Sequence, residues 1–252
     1  MSTRFNRAQR ATTATAGLLV TAVLSSSCSY GPTRDAPPAI PPGIPPAAGA
    51  PVPVVDIHAP GRTSHQLRPW SEGINMQMDI PVAALAAYGN ASEIMRQTRP
   101  ECNLTWTTLA GIGHVETRHG RYRGASLNAD GYALPPIIGV KLDGSPGFAE
   151  IPDTDGGHWD GDTEHDRAVG PMQFIPESWE KYGRDANGDG VADPNQIDDA
   201  AIGTARLLCE NGGDLSVAEN WQRAILAYNA SQEYVMQVRD AAAAYSVGTT
   251  AP

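Results

Sequence analysis

The chain is short of basic residues: 18 Lys and Arg face 28 Asp and Glu, a formal net charge of −10. A protein that neutralises phosphates needs the opposite balance, so nucleic acid is excluded as a partner. No apolar run is long enough to cross a bilayer, because the longest, Ala14 to Leu24, falls short of the roughly 20 residues a spanning helix needs. Internal repeats are absent, which excludes a solenoid or propeller. The histidines His58, His65, His114 and His119 supply no zinc-ligand spacing, so a zinc hydrolase cannot be assembled from them. Cysteine is scarce as well, with three residues in 252.

What is present begins with an export signal. Arg4, Arg7 and Arg10 precede the apolar run, and small residues lead to Cys28. That order reads as a signal peptide over residues 1–28. Cys28 after Ser25, Ser26 and Ser27 also suits a bacterial lipoprotein signal, although Leu24 sits one place farther from the cysteine than usual. Lipidation at Cys28 and simple cleavage both stay open. The expected location is the cell envelope, as a membrane-anchored lipoprotein or a secreted wall protein. An oxidising compartment leaves Cys102 and Cys209 as an even pair, expected to form a disulfide.

Residues 29–66 are rich in Pro-Pro pairs, Ala and Gly, which cannot pack a core. They predict a disordered, largely polyproline II linker. The globular domain is expected over residues 67–247, with a tail at 248–252. Within it, "DIPVAALAAYGNASEIMRQTRPE" reads as two short helices, with Pro81 in a first turn and a break at Gly89-Asn90. Residues 121–169 read as irregular or short β structure, in which only "YALPPIIGVKL" is strand-like. Helices resume at "PESWEKYG", "DDAAIGTARLLCENGG" and "VAENWQRAILAYN", and a last one runs from about Ser231 to Tyr245. The class is mainly α with a small irregular or β insert.

The helix in "LTWTTLAGIGHVETRHG" carries a misfit. Asn103 or Thr105 could cap its start, and Gly120 ends it. With Leu109 at the centre of one face, Ile112 falls about 60° to one side and Glu116 about 20° from the centre. A carboxylate there is costly unless it is paired, protonated or open to a cleft. Pairing with Arg118, Arg121 or Arg123 is the structural alternative; a carboxyl held out of bulk water keeps its proton and serves as a general acid. Gly111 and Gly113 each cost about 1 kcal/mol against Ala in a helix, which points to a neighbour approaching closely.

The segments "HVETRHG", "AVGPMQFIPESW" and "AILAYNAS", in this order, resemble the lytic murein transglycosylase B family over about residues 75–245. The resemblance implies a lysozyme-like fold and cleavage of peptidoglycan glycan strands by a single acid/base, which falls on Glu116; the chain is expected to act as a monomer. It also implies that Gln173 hydrogen-bonds the sugar or the glutamate, that Asn229 anchors the turn or touches the sugar, that Met172 forms an apolar cleft wall, and that Tyr228 donates its hydroxyl near Glu116. "DRAVG" stands where some relatives carry a serine, so that serine's contact with the glutamate has no counterpart here.

"DANGDGVADPNQIDDA" places Asp185, Asn187, Asp189 and Gly190 at positions 1, 3, 5 and 6 of an EF-hand-like loop, with the Val191 carbonyl at 7. Position 12 is Gln196 rather than Glu; the resemblance to members with a lengthened loop selects Asp199 as the closing ligand. Calcium is the expected ion, in a structural role, and no organic cofactor is implied. In "IPDTDGGHWDGDTEHDRAVG" the acidic residues match no metal template; the segment reads as a solvated loop at one end of the cleft, with Trp159 as a sugar-stacking candidate.

Overall fold

The computed structural model describes residues 39–252. The expected signal peptide and Cys28 lie outside the described residues, as does the start of the linker. Among the described residues no helix is long and apolar enough to cross a membrane.

The described residues form seven α-helices: α1 (Arg68–Ile74), α2 (Val82–Thr98), α3 (Trp106–Thr117), α4 (Pro176–Tyr182), α5 (Ile197–Gly212), α6 (Ala218–Tyr228) and α7 (Gln232–Ser246). Between α3 and α4 lie two antiparallel pairs, β1 (Ser126–Leu127) with β2 (Ala133–Leu134) and β3 (Ile138–Lys141) with β4 (Arg167–Val169). The class is therefore mainly helical with a small antiparallel insert, as the pattern predicts.

Helix α3 is the axis of the core. Leu109, Ala110 and Ile112 are fully buried, and α7, α2 and α5 pack around them. Burying a side chain such as Leu109 is worth about 2 kcal/mol, so this helix is set by tertiary packing more than by propensity. The two glycines that weaken it answer to helix packing. A Cβ on Gly111 would lie 2.7 Å from the Val238 carbonyl of α7, and one on Gly113 would lie 2.0 Å from the Tyr88 hydroxyl of α2. Trp221 of α6 ties in from the other side, its indole N–H donating to Thr108 Oγ1 at 3.1 Å.

Three expectations differ from the structure. The break at Gly89-Asn90 does not occur: α2 runs through it, because Gly89 lies beneath the Trp70 ring and the buried Asn90 accepts from Thr63 Oγ1 at 3.1 Å. Pro81 sits at the N-cap, one residue before the first turn. The proline-rich stretch, over its described part, is laid against the domain rather than disordered. Val55 is buried, Ile44 and Val52 pack on the core, and the Trp106 and Thr107 side chains donate to the Ala50 and Ala47 carbonyls, both at 2.9 Å. Composition could not announce this, since the strap brings few apolar residues and uses its backbone carbonyls.

Cys102 and Cys209 form a disulfide across 107 residues of sequence with Cα atoms 5.4 Å apart, joining the turn before α3 to α5. Closing a loop of that length stabilises the fold by roughly 4–5 kcal/mol in the chain-entropy picture.

Candidate active site

Glu116 lies in the last turn of α3, where the helix ends by turning left-handed at Arg118 and His119, with φ of 54° and 62°. Gly120 follows with φ 83°, and its N–H donates to Thr117 Oγ1 at 2.8 Å. This sharp end leaves Glu116 facing a cavity of about 210 Å³ bordered by the β3–β4 insert, the start of α4 and the ends of α5 and α6. Gln173, Tyr228 and Asn229 line the same cavity.

The carboxyl is partly buried and has no cationic partner among the described residues. Each arginine that could have paired with it is engaged elsewhere or turned away. Arg118 donates to His114 Nε2 at 2.8 Å, Arg121 pairs with Asp79 at 2.9 Å, and Arg123 stacks over Tyr122. Burial pushes the Glu116 carboxyl up to about 7, partly opposed by a hydrogen bond that Tyr234 donates to its Oε1. The group therefore carries a proton a large part of the time near neutral pH, as a general acid must.

Tyr234 escaped the sequence analysis. It sits in the first turn of α7, capped by Ser231 Oγ, and it stacks parallel to Tyr228 with ring centroids 6.4 Å apart. Burial and the neighbouring Glu116 carboxyl hold both phenols well above their ordinary range, so both hydroxyls stay donors. The bond that Tyr228 was expected to offer Glu116 goes instead to the Met172 carbonyl at 2.6 Å. The one available signal was spacing: Tyr234 stands six residues after Tyr228, just beyond the break at Ser231.

The remaining expected contacts divide. Gln173 adopts a left-handed backbone, φ 50°, in the tight turn joining Val169 to Phe174, and its Nε2 donates to the Gly170 carbonyl at 2.9 Å. The side chain is thereby turned along the cavity wall. Asn229 ends α6 with an extended backbone; the start of α7 is capped by Ser231, which leaves the Asn229 side chain free of that duty. Met172 is not a cleft wall. It is fully buried behind the cavity, near Gly113 and Tyr88, where its flexible side chain fills the core. Trp159 does not line the cavity either; it is partly buried against the core and meets His158 edge to face at 4.6 Å.

The acidic segment before β4 is more ordered than a solvated loop. Asp166 is fully buried, accepting from the Thr154 N–H at 2.9 Å and its Oγ1 at 2.6 Å. Among the described residues, Asp153, Asp155 and Asp166 are the group of three acidic side chains whose oxygens come within 4.8 Å of one another. The loop at 185–199 is organised differently. Asp185 accepts from the Gly188 and Gly190 amides, and the buried Asp199 accepts from Ala186, Asn187 and Asp193. The Tyr132 hydroxyl donates to Asp189 at 2.8 Å. Asp185, Asp189 and Asp199 are not gathered as closely as the first group.

Residues 164–216 match the family described as the transglycosylase SLT domain. The matched span contains Gln173, the 185–199 loop and all of α4 and α5, but neither Glu116 nor Tyr228. Two solved structures are similar over most of the chain. One is the Escherichia coli lytic transglycosylase Slt35 in complex with bulgecin A, at 17% identity, covering 76% of this chain and 81% of that one, with a TM-score of 0.38. The other is the same Escherichia coli enzyme in complex with calcium, at 17% identity, covering 76% and 80%, with a TM-score of 0.39. At that level no residue role passes from those chains to this one. No curated protein matches in sequence.

Proposed function

We propose that this chain is a peptidoglycan lytic transglycosylase of the lytic murein transglycosylase B type, acting on glycan strands with Glu116 as its acid and then its base. The observation that carries this is a protonatable carboxyl in a cleft, bonded to Tyr234, with no arginine partner and no second carboxylate among the residues lining the cavity. The transglycosylase SLT match over residues 164–216 supports the reaction class.

A single carboxyl is too few for an ordinary glycosidase, which needs an acid and a nucleophile or base on opposite sides of the bond. It suffices where the substrate carries its own nucleophile. Glu116 protonates the oxygen bridging N-acetylmuramic acid and N-acetylglucosamine, and that bond breaks at C1. The sugar's own acetamido group stabilises the electron-poor carbon. The glutamate, now a base, takes the proton of the C6 hydroxyl as that oxygen bonds to C1. The product ends in 1,6-anhydro-N-acetylmuramic acid, no water is consumed, and Glu116 regains its proton. Tethering of the hydroxyl to the reacting ring replaces the positioning of a water. Tyr234 holds the carboxyl at one oxygen, leaving the other for the substrate. Gln173 and Asn229 offer amides to the sugar.

A muramidase sharing the site is the rival within the same class. Mass spectrometry of the sugar ends released from purified peptidoglycan separates them: anhydro ends lack one water relative to reducing ends. Reducing ends alone would overturn the transglycosylase reading.

Export follows the same reading, with anchoring through Cys28 as its membrane-bound form. Calcium belongs to it as a structural ion. The donors that would hold it are Asp185, Asn187, Asp189, the Val191 carbonyl and Asp199, an all-oxygen set suited to a hard cation. Burial pushes the Asp199 carboxyl up to about 7, so a cation beside it would restore its charge at neutral pH. The ion would supply charge neutralisation and stiffness to the loop before α5, away from Glu116.

A further inference from the structure

A second cavity, of about 200 Å³, lies between the end of the proline-rich strap and the start of α2, and shares no lining residue with the Glu116 cleft. One wall is aliphatic, made by Val82, Ala83 and Ala86 in the first turns of α2. The other carries Ser64 with Arg62, His65 and Arg68, and no carboxylate lines the space. Both arginines are paired with carboxylates outside the lining, Arg62 with Asp198 and Arg68 with Glu72, so the wall offers guanidinium donors rather than a net positive charge.

Ser64 is the telling residue. It is 1% exposed, and its hydroxyl has no hydrogen-bond partner among the described residues. A buried hydroxyl left unpaired costs about 1–3 kcal/mol, and such a cost persists where a ligand completes the bond. The start of α2 presents a second deficit. Its N-cap is Pro81, which makes no side-chain cap, and the amides of Val82, Ala83 and Ala84 find no acceptor among the described residues. Unpaired first-turn amides carry the positive end of the helix dipole and favour an anion. Arg68 is held only by Glu72, in a pair whose side chains are 73% and 50% exposed. Such a pair is worth little, so this cation can turn to a ligand. Arg62 is anchored more firmly, against the buried Asp198 at 2.7 Å, and fixes the edge of the cavity.

We propose that this cavity is a binding site for a short aliphatic carboxylate of about the size of a C-terminal alanine. The carboxylate would take the Ser64 hydroxyl and the α2 end, and the methyl groups would lie on Val82, Ala83 and Ala86. A peptide terminus and a free short-chain acid share this chemistry. The site does not depend on the reaction proposed for Glu116.

Calorimetric titration of the full chain with N-acetyl-alanyl-alanine, its C-terminal amide and butyrate tests the assignment. Both acids are expected to bind, and the amide at least tenfold more weakly. A stronger response to the dipeptide identifies a peptide terminus as the source, and an equal response to butyrate identifies the carboxylate alone; either upholds the site. Ser64→Ala should weaken binding about tenfold, while its melting temperature stays level or rises because an unpaired buried hydroxyl has gone. Arg68→Gln should weaken it severalfold and flatten its salt dependence. Silence from both acids, equal binding of the amide, or wild-type affinity in a folded Ser64→Ala variant would overturn the proposal.

Discussion

Replacing Glu116 with glutamine separates two consequences of one buried carboxyl. The group's value moves from an ordinary 4.5 to about 7 in the fold, chiefly through burial. Between those values the unfolded chain has released a proton that the native chain still holds. Stability therefore falls as pH climbs from about 4.5 to about 7, and stays reduced above that. At 1.36 kcal/mol per unit the penalty is about 3 kcal/mol at pH 7, about 1.4 kcal/mol at pH 5.5 and close to nothing at pH 4. Glutamine has nearly the same shape, keeps an acceptor for Tyr234 and never ionises. The variant should lose about 10²–10⁴-fold in turnover of purified peptidoglycan. It should also melt higher than wild type by roughly 6–12 °C at pH 7, with the gap closing towards pH 4. Calorimetric melting of both proteins from pH 4 to 8, beside a turbidity assay of wall digestion, measures both effects. A gap that widens on acidification, or no gap at any pH, would refute the assignment of a buried, raised carboxyl. Unchanged turnover would refute its role in the reaction.

Tyr234→Phe removes the donor that opposes burial, so the Glu116 value should rise by about 1–2 units and carry the basic limb of the kcat/KM profile up with it; a limb that stays in place would show that Tyr234 does not act through the carboxyl. Reduction of Cys102–Cys209 should cost roughly 4–5 kcal/mol and lower Tm by at least about 8 °C, as scanning calorimetry with and without reductant would reveal. Chelator should lower Tm by several degrees and added calcium restore it, without altering the pH profile of the folded enzyme; a Tm indifferent to both removes calcium from the 185–199 loop.

The residues that betray the site do so through local contradiction. Glu116 breaks an apolar helix face, and Gly111 and Gly113 break a helix interior, so each is visible without coordinates. Gln173, Tyr228 and Asn229 stand out through the motifs around them, and they do line one cavity with Glu116. Tyr234 breaks no local rule: a tyrosine in the first turn of a helix is ordinary until its hydroxyl is found on a carboxylate 118 positions earlier in the chain. Met172 misleads for the converse reason. It belongs to the same short motif as Gln173, yet the tight turn at Gly170–Phe174 sends the two neighbours to opposite sides, one to the cavity and one to the core.

Periodicity, punctuation and charge pattern determined the helical class, the order of most elements, the pairing of Cys102 with Cys209 and the anomaly at Glu116, because each depends on neighbours within a few residues or on there being a single available partner. Only the tertiary structure decided that Glu116 lacks an arginine, that Tyr234 reaches it, that α2 runs on through Gly89, and that the strap and α2 enclose an unpaired serine. Those outcomes depend on which distant surfaces meet. Contact between surfaces is a sum over many weak packing terms, and no single window of sequence contains them.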